Sequence, residues 1–118
     1  MTNDLRGKKA LVTGAARRIG REIALALADQ GVDVALSFHS SEPEARKTEE
    51  DLRARKVQAA AFKADLTDLD ACDLLIDSVR SELGTVDILV NNASDFPQTR
   101  LEELDADRTR FALQFDML

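Results

Sequence analysis

Apolar residues along this chain follow two alternating periods, one typical of strands and one typical of helices. Four short apolar runs predict β-strands, at residues 9–13, 33–38, 57–62 and 86–90. In the second run, Val34, Leu36 and Phe38 occupy alternate positions. The fourth is apolar at every position except Asp87, and such a run is typical of a strand that is covered on both faces. The pattern therefore favours a buried, parallel sheet.

Between these runs, apolar residues recur every three or four positions and predict amphipathic helices. The first helix stops before Gly31 and has an apolar face of Ile19, Ile23, Ala24 and Leu27. The clearest pattern belongs to the third helix, which stops at Gly84 and carries Leu69, Cys72, Leu75, Ile76, Val79 and Leu83. A last helix follows the capping pair Thr99 and Glu102 and carries Phe111, Phe115 and Leu118.

Capping residues define the starts of the two middle helices. Ser41 and Glu44 form a capping box, and Pro43 is tolerated in a first turn, so the second helix is predicted over residues 42–56. Thr67 is predicted as the N-cap of the third helix. Strands and helices alternate without a flexible linker, which indicates one α/β domain over residues 1–118.

Composition narrows the range of partners. The net charge of −6 argues against a nucleic-acid-binding surface, which would need a concentrated basic face. The N-terminus lacks an apolar signal core, and no stretch approaches the length of a membrane span, so we expect a cytoplasmic protein. Cys72 is the only cysteine, and its place on an apolar helix face indicates a core residue.

The segment from residue 11 to residue 20 is the most informative. An apolar strand runs into a turn of small residues and then into a helix. Gly14 permits the tight turn, Ala15 and Ala16 leave the backbone accessible, and Gly20 allows close packing of helix on strand. The first amides of the helix, and its dipole, would then face a pyrophosphate. An ordinary strand-to-helix connection is the alternative interpretation.

The chain resembles the short-chain dehydrogenases/reductases. Thr13 to Gly20 is similar to the family's Thr-Gly-x-x-x-Gly-x-Gly motif, except that Arg18 replaces the middle glycine; Ala64-Asp65-Leu66 and Asp87-Ile-Leu-Val-Asn-Asn-Ala match two further motifs in order. The resemblance implies a Rossmann-type, doubly wound parallel sheet of strand order 3-2-1-4 with right-handed crossovers, truncated after the fourth strand and the following helix.

The resemblance also implies roles for single residues. Asp65 would meet the adenine, although a simple turn residue is the alternative, and the Asn91-Asn92-Ala93 segment would steady the sheet and line the cofactor groove. The implied cofactor site comprises Gly14, Arg17, Arg18, Ile19, His39, Ser40, Ser41, Ala64, Asp65, Leu66, Asn92, Ala93 and Ser94.

The choice of cofactor follows from charge. NADP carries a 2′-phosphate that needs cations or neutral donors, whereas NAD usually meets a carboxylate on its ribose. Arg17 lies where NADP-preferring members of the family place a basic residue, and His39-Ser40-Ser41 ends the second strand without Asp or Glu. We therefore expect NADP(H). In the alternative interpretation, Arg17 and Arg18 point into solvent and the two serines only cap a helix.

Within the family, the chain most resembles pteridine reductases, in Thr-Gly-Ala-Ala-Arg-Arg-Ile-Gly, Phe-His-Ser-Ser and Asn-Asn-Ala-Ser-Asp-Phe. The resemblance implies that Phe96 stacks on a pterin while Arg18 and Ser94 contact its edge. A loop phenylalanine that belongs to the core is the alternative for Phe96. The same residues also occur in family members that reduce other carbonyl or imine substrates.

The chain contains no tyrosine, so it cannot supply the family's Tyr-x-x-x-Lys proton donor. Asp116 falls where the family has a helix asparagine. We expect the cofactor-binding, N-terminal portion of a longer NADPH-dependent reductase that forms a homo-oligomer at full length. The alternative is a catalytically silent, NADP-binding or dimerising fragment, which would bind NADPH without turning it over.

Overall fold

Four parallel strands form one sheet in this computed structural model, which describes residues 4–92. In chain order the elements are β1 (Lys9–Thr13), α1 (Arg18–Asp29), β2 (Asp33–Phe38), α2 (Glu42–Arg53), β3 (Ala59–Lys63), α3 (Leu69–Leu83) and β4 (Ile88–Asn91). The strand order is β3-β2-β1-β4, with every neighbouring pair parallel. This confirms the doubly wound sheet implied by the resemblance.

Successive residues of the central strands enter different cores because side chains alternate across a strand. Ala10 and Val12 of β1 pack into a cluster that α1 and α2 cover, whereas Leu11, between them, packs into a second cluster beneath α3. Cys72 is buried in the second cluster, and its Sγ lies 3.6 Å from the carbonyl oxygen of Leu66. The predicted core role of Cys72 is therefore confirmed.

The bounds of β1 and β2 agree with the sequence patterns, whereas several other predictions were wrong in detail. The third strand begins two residues later than predicted, and the fourth starts only at Ile88 because Asp87 interrupts the apolar run; its carboxylate accepts from the amide of Lys9 at 2.9 Å. The second helix ends at Arg53 rather than at residue 56, since Lys56 adopts a left-handed φ of 65°.

Two further corrections concern helix faces and caps. Ile19, predicted on the buried face of the first helix, is 69% exposed. The other predicted residues of that face hold: Ala24 is buried, and Ile23 and Leu27 pack against the core. Gly20, Leu25 and Ala28 are buried on this helix as well.

Ser41 precedes α2, but its side chain makes no capping hydrogen bond, so the predicted capping box is not formed. Asp68 rather than Thr67 caps α3, accepting from the amide of Asp70, because Thr67 is bound to Asp65 within the preceding turn.

The outer edge of β3 is covered by side chains of α2. Arg53 donates to the carbonyl oxygen of Ala59 at 3.0 Å, and Glu49 accepts from the amide of Ala61 at 2.8 Å. Both backbone groups point away from β2, so they would otherwise be open to pairing with another strand. None of the helices within residues 4–92 is long and apolar enough to cross a bilayer. The predicted last helix, with Thr99, Glu102, Phe111, Phe115, Asp116 and Leu118, lies outside the described residues.

Candidate functional site

A groove of about 360 Å³ lies at the carboxyl end of the sheet, where the chain leaves β1, β2, β3 and β4. Ligands of open α/β sheets bind at this edge, where neighbouring connections run to opposite faces. The groove is lined by Gly14, Ala16, Arg17, Arg18, Ile19, Ser37, Phe38, His39, Ser40, Ser41, Ala64, Leu66 and Asn92. The structure thus brings together ten of the thirteen residues predicted for the cofactor site.

The turn between β1 and α1 is held by the end of β2. Gly14 has a φ of 62°, a conformation that glycine adopts without steric strain. Its amide donates to Ser37 Oγ at 3.3 Å, and the amide of Ala15 donates to the carbonyl oxygen of Ser37 at 3.1 Å. These contacts fix the first half of the turn against the sheet.

Gly20 is where the helix approaches the turn most closely. A Cβ atom at this position would lie 2.5 Å from Asn92 Nδ2 and 2.9 Å from Ala15 Cα, and closer still to the carbonyl oxygen of Gly14. No side chain fits there without moving backbone. The sequence interpretation, in which Gly20 permits close packing of helix on strand, agrees with this geometry.

Arg18 adopts a φ of 59°, in the left-handed region that disfavours residues with a Cβ atom. The backbone therefore keeps a conformation suited to glycine at the position where the resembling family has its middle glycine. Both Arg17 and Arg18 are exposed and line the groove. Two cationic side chains therefore belong to the wall of the groove.

The amino end of α1 has no negative charge of its own. No acidic residue lies in its first turn, and Arg17, the N-cap residue, makes no capping hydrogen bond through its side chain. The first amides of a helix need external partners, and the positive end of the helix dipole favours an anion there. Two arginines next to this end reinforce that preference.

The carboxyl end of β2 supplies a second polar wall. His39, Ser40 and Ser41 line the groove beside the buried ring of Phe38, and neither Asp nor Glu is among the lining residues. Arg46 of α2 lies over this ring, with its guanidinium carbon 5.7 Å from the ring centre. The wall thus offers donors and no carboxylate.

Asp65 is the one described site candidate that does not line the groove. It is exposed, and its carboxylate accepts from the amide of Thr67 at 3.0 Å and from its hydroxyl at 2.5 Å. The two hydrogen bonds from Thr67 hold the pKa of Asp65 below its ordinary value, and the nearby His39 acts in the same direction. Asp65 therefore orders the turn, while its neighbours Ala64 and Leu66 contribute to the groove.

The end of β4 is tied to the turn by a short chain of hydrogen bonds. Thr13 Oγ1 donates to Asn91 Oδ1 at 2.5 Å and accepts from the amide of Asn92 at 3.0 Å. Asn92 Nδ2 then donates to the carbonyl oxygen of Gly14 at 3.2 Å. Asn91 Nδ2 is buried without a hydrogen-bond partner within residues 4–92. Ala93, Ser94 and Phe96, the remaining site candidates, lie outside the described residues.

Sequence reasoning missed three lining residues, Ala16, Ser37 and Phe38. Ser37 could have been predicted as a site residue, because it is a polar residue near the end of an otherwise apolar strand. Phe38 was assigned to the strand alone, although a residue at the carboxyl end of a strand can serve both the core and the site. Ala16 was assigned to the turn for its small size, without a contact to a ligand.

Comparisons with known proteins agree with this architecture. A family model described as short chain dehydrogenase matches residues 8–116. The 3-oxoacyl-(acyl-carrier-protein) reductase FabG of Staphylococcus aureus is 44% identical over 86 residues, which cover 73% of this chain and 35% of that protein. The chain therefore spans about a third of the length of this curated relative.

Two solved structures are similar over nearly the whole chain. A short chain dehydrogenase from Burkholderia cenocepacia in complex with NADP has a TM-score of 0.76 and 38% identity, over 97% of this chain and 46% of that one. A xylitol dehydrogenase with bound NAD+ has a TM-score of 0.75 and 31% identity, over 97% of this chain and 44% of that one. The same fold thus holds either nucleotide.

Proposed function

The chain belongs to the short-chain dehydrogenase/reductase family, and on this premise we propose that its groove binds NADPH as the cofactor-binding part of an oxidoreductase. One observation carries the proposal: a helix start without acidic residues meets two arginines and a carboxylate-free wall in a single groove. A helix start without acidic residues suits the diphosphate of a dinucleotide. Arginines beside a wall without carboxylates suit a 2′-phosphate.

Different parts of the groove would bind different parts of the cofactor. The turn from Gly14 to Gly20 and the first amides of α1 would hold the diphosphate, and Asn92 would line the side nearer the nicotinamide. Arg17, with His39, Ser40 and Ser41, would surround the phosphorylated ribose. Bound NADPH supplies a hydride for a carbonyl or imine carbon.

The preference for NADPH over NADH rests on these residues and not on the fold, since the fold is shared with an NAD+-bound dehydrogenase. A carboxylate on the second strand end would repel a 2′-phosphate and accept from a ribose hydroxyl. Among the residues that line the groove, none carries one. The arginines add charge that an unphosphorylated ribose would not use.

For the substrate, we propose a small carbonyl or imine compound, and a pterin as the first one to test. The support for a pterin is the resemblance carried by Arg18, Ser94 and Phe96. A 3-oxoacyl thioester is the competing substrate, because FabG of S. aureus is named for it. The oligomeric state of the whole protein and its cytoplasmic location remain expectations from the sequence.

Calorimetric titration of the chain with NADPH and with NADH tests the cofactor proposal. We expect one binding event per chain, with NADPH binding the more tightly. In Arg17→Ala the affinity for NADPH should fall about tenfold, the equivalent of one charge-assisted hydrogen bond, and the affinity for NADH should change little. Arg80→Ala, in the last turn of α3, is the matched control and should bind like wild type. Equal affinities for both nucleotides, or no heat with either, would contradict the proposal.

Turnover by the chain itself tests whether these 118 residues carry a proton donor of their own. The chain has no tyrosine to donate a proton, so we expect it to bind NADPH without oxidising it in the presence of a pterin or a 3-oxoacyl thioester. Oxidation of NADPH by the chain would show that another residue supplies the proton.

A further inference from the structure

We propose that Thr48, in the middle of α2, is a positioning residue that sets the preference of the groove for NADPH by fixing the peptide between Ala16 and Arg17. This inference rests on the proposed cofactor, and it concerns a side chain that does not line the groove. Its basis is a hydrogen-bonded connection from α2 into the turn that precedes α1.

Thr48 is fully buried and bonds in two directions. Its Oγ1 lies 2.7 Å from the carbonyl oxygen of Ala16 and 2.9 Å from Arg21 Nη1. A carbonyl oxygen only accepts and a guanidinium only donates, so the single hydroxyl proton must go to Ala16. The threonine therefore accepts from Arg21 and donates to the turn, and both ends of its hydroxyl are used.

Arg21 is itself held in place by α2. Its Nη2 pairs with Asp51 Oδ2 at 2.5 Å, and Lys47 Nζ approaches Asp51 Oδ1 at 3.1 Å. Hydrogen bonds from Arg21 and Lys47 keep the pKa of Asp51 below its ordinary value, so this carboxylate stays ionised at neutral pH. The connection from Asp51 to Ala16 is thus complete and charged at its outer end.

The connection acts on Arg17 through peptide geometry. The C=O and N–H groups of a trans peptide point in opposite directions. A carbonyl of Ala16 that is held toward α2 therefore directs the amide of Arg17 away from α2 and fixes where the arginine side chain starts. Within residues 4–92 no ion pair holds the Arg17 guanidinium, so its placement depends on this backbone.

Thr48 does not use its hydroxyl within its own helix. Threonine hydroxyls within helices commonly donate to the carbonyl of the preceding turn of the same helix. Thr48 instead reaches a residue 32 positions away in the sequence, on the wall of the groove. The bond therefore joins α2 to the segment that carries the proposed phosphate ligand.

The test measures affinity for NADPH and NADH in the same variants, together with thermal unfolding. Thr48→Val keeps the shape of the side chain and removes its hydroxyl. We expect the ratio of NADPH to NADH affinity to fall about fivefold, because the proposed bond from Arg17 to the 2′-phosphate is weakened but not lost. Thr48→Ser keeps the hydroxyl and should restore the wild-type ratio. Leu52→Val is the matched control: it loosens the same buried face of α2 without removing a hydrogen bond to the turn, and should lower stability while leaving the ratio unchanged.

Each outcome has a separate meaning. If Thr48→Val binds both nucleotides with the wild-type ratio, the inference is wrong and the proposed cofactor stands. If the wild-type chain does not prefer NADPH, the proposed cofactor and the inference fall together. Should Thr48→Val not fold, Arg21→Ala is the second test. The Arg21 side chain is partly exposed, and its removal takes away only the hydrogen bond that Thr48 accepts, not the one that it donates to Ala16. A smaller fall in the ratio is expected from it, and an unchanged ratio would overturn the inference.

Discussion

Replacing Gly20 by alanine tests how tightly α1 is fitted to the phosphate-binding turn. The new Cβ atom would lie 2.5 Å from Asn92 Nδ2 and 2.9 Å from Ala15 Cα, and closer still to the carbonyl oxygen of Gly14. Asn92 would have to withdraw, which breaks its 3.2 Å hydrogen bond to Gly14, and the backbone of the turn would also have to move.

The expected loss of stability is the sum of three effects. Forced overpacking costs about 1–3 kcal/mol, and the broken hydrogen bond about 0.5–1.5 kcal/mol. Alanine in place of glycine within a helix recovers about 1 kcal/mol. The free energy of unfolding of Gly20→Ala should therefore fall by about 0.5–3.5 kcal/mol, as measured by urea denaturation.

The same variant should also lose affinity for NADPH, by about tenfold or more in calorimetry, because the displaced atoms belong to the turn. Gly84→Ala is the matched control. Gly84 has a φ of 93° with no atom near its missing Cβ, so alanine there strains the backbone far from the groove. It should lose stability by about 1–2 kcal/mol and retain NADPH affinity. A Gly20→Ala chain with wild-type stability and wild-type binding would refute the close-approach argument.

Three further predictions concern strain, the sheet edge and pH. Arg18→Gly relieves a left-handed backbone and should raise the free energy of unfolding by about 0.5–1 kcal/mol in a denaturation experiment, after the entropy of glycine is subtracted; a loss of stability would contradict the strain. The double variant Glu49→Ala, Arg53→Ala removes the side chains that bond to the β3 edge and should self-associate in sedimentation at concentrations where wild type does not; an unchanged sedimentation profile would show that the edge is protected by other means. The pKa of Asp51 is lowered in the folded state, so its stabilising effect is present above its ordinary value of about 3.9 and is lost as the pH falls through the folded-state pKa. Asp51→Asn should accordingly be less stable than wild type at neutral pH and equal to it in strong acid, and a gap that persists in acid would contradict the ion pair.

The sequence specified the sheet well because its signals are local. The strand bounds at residues 9–13 and 33–38 follow directly from apolar runs that end in glycine or polar residues. The Gly14 to Gly20 turn could be predicted for the same reason, since a turn and a close packing contact each demand a small residue at a fixed spacing.

The predictions that failed depend on particular side-chain contacts, which an apolar period or a residue type alone does not specify. Thr67 has the composition of an N-cap, but its bonds to Asp65 leave that position to Asp68. Ile19 fits the apolar period of α1, yet the helix begins in the groove and leaves this side chain exposed. The bond from Thr48 to Ala16 joins residues 32 positions apart, and no periodic pattern in the sequence predicts it.

The central claim is that the groove holds NADPH with its diphosphate at the start of α1 and its 2′-phosphate beside Arg17 and the end of β2. The most direct measurement is a pair of amide NMR titrations of the chain, one with NADPH and one with NADH. Both nucleotides should shift the amides of residues 14–20 and of Asn92, and the difference between the two should be confined to Arg17, His39, Ser40 and Ser41. Shifts that lie elsewhere, or identical shifts with the two nucleotides, would contradict the account.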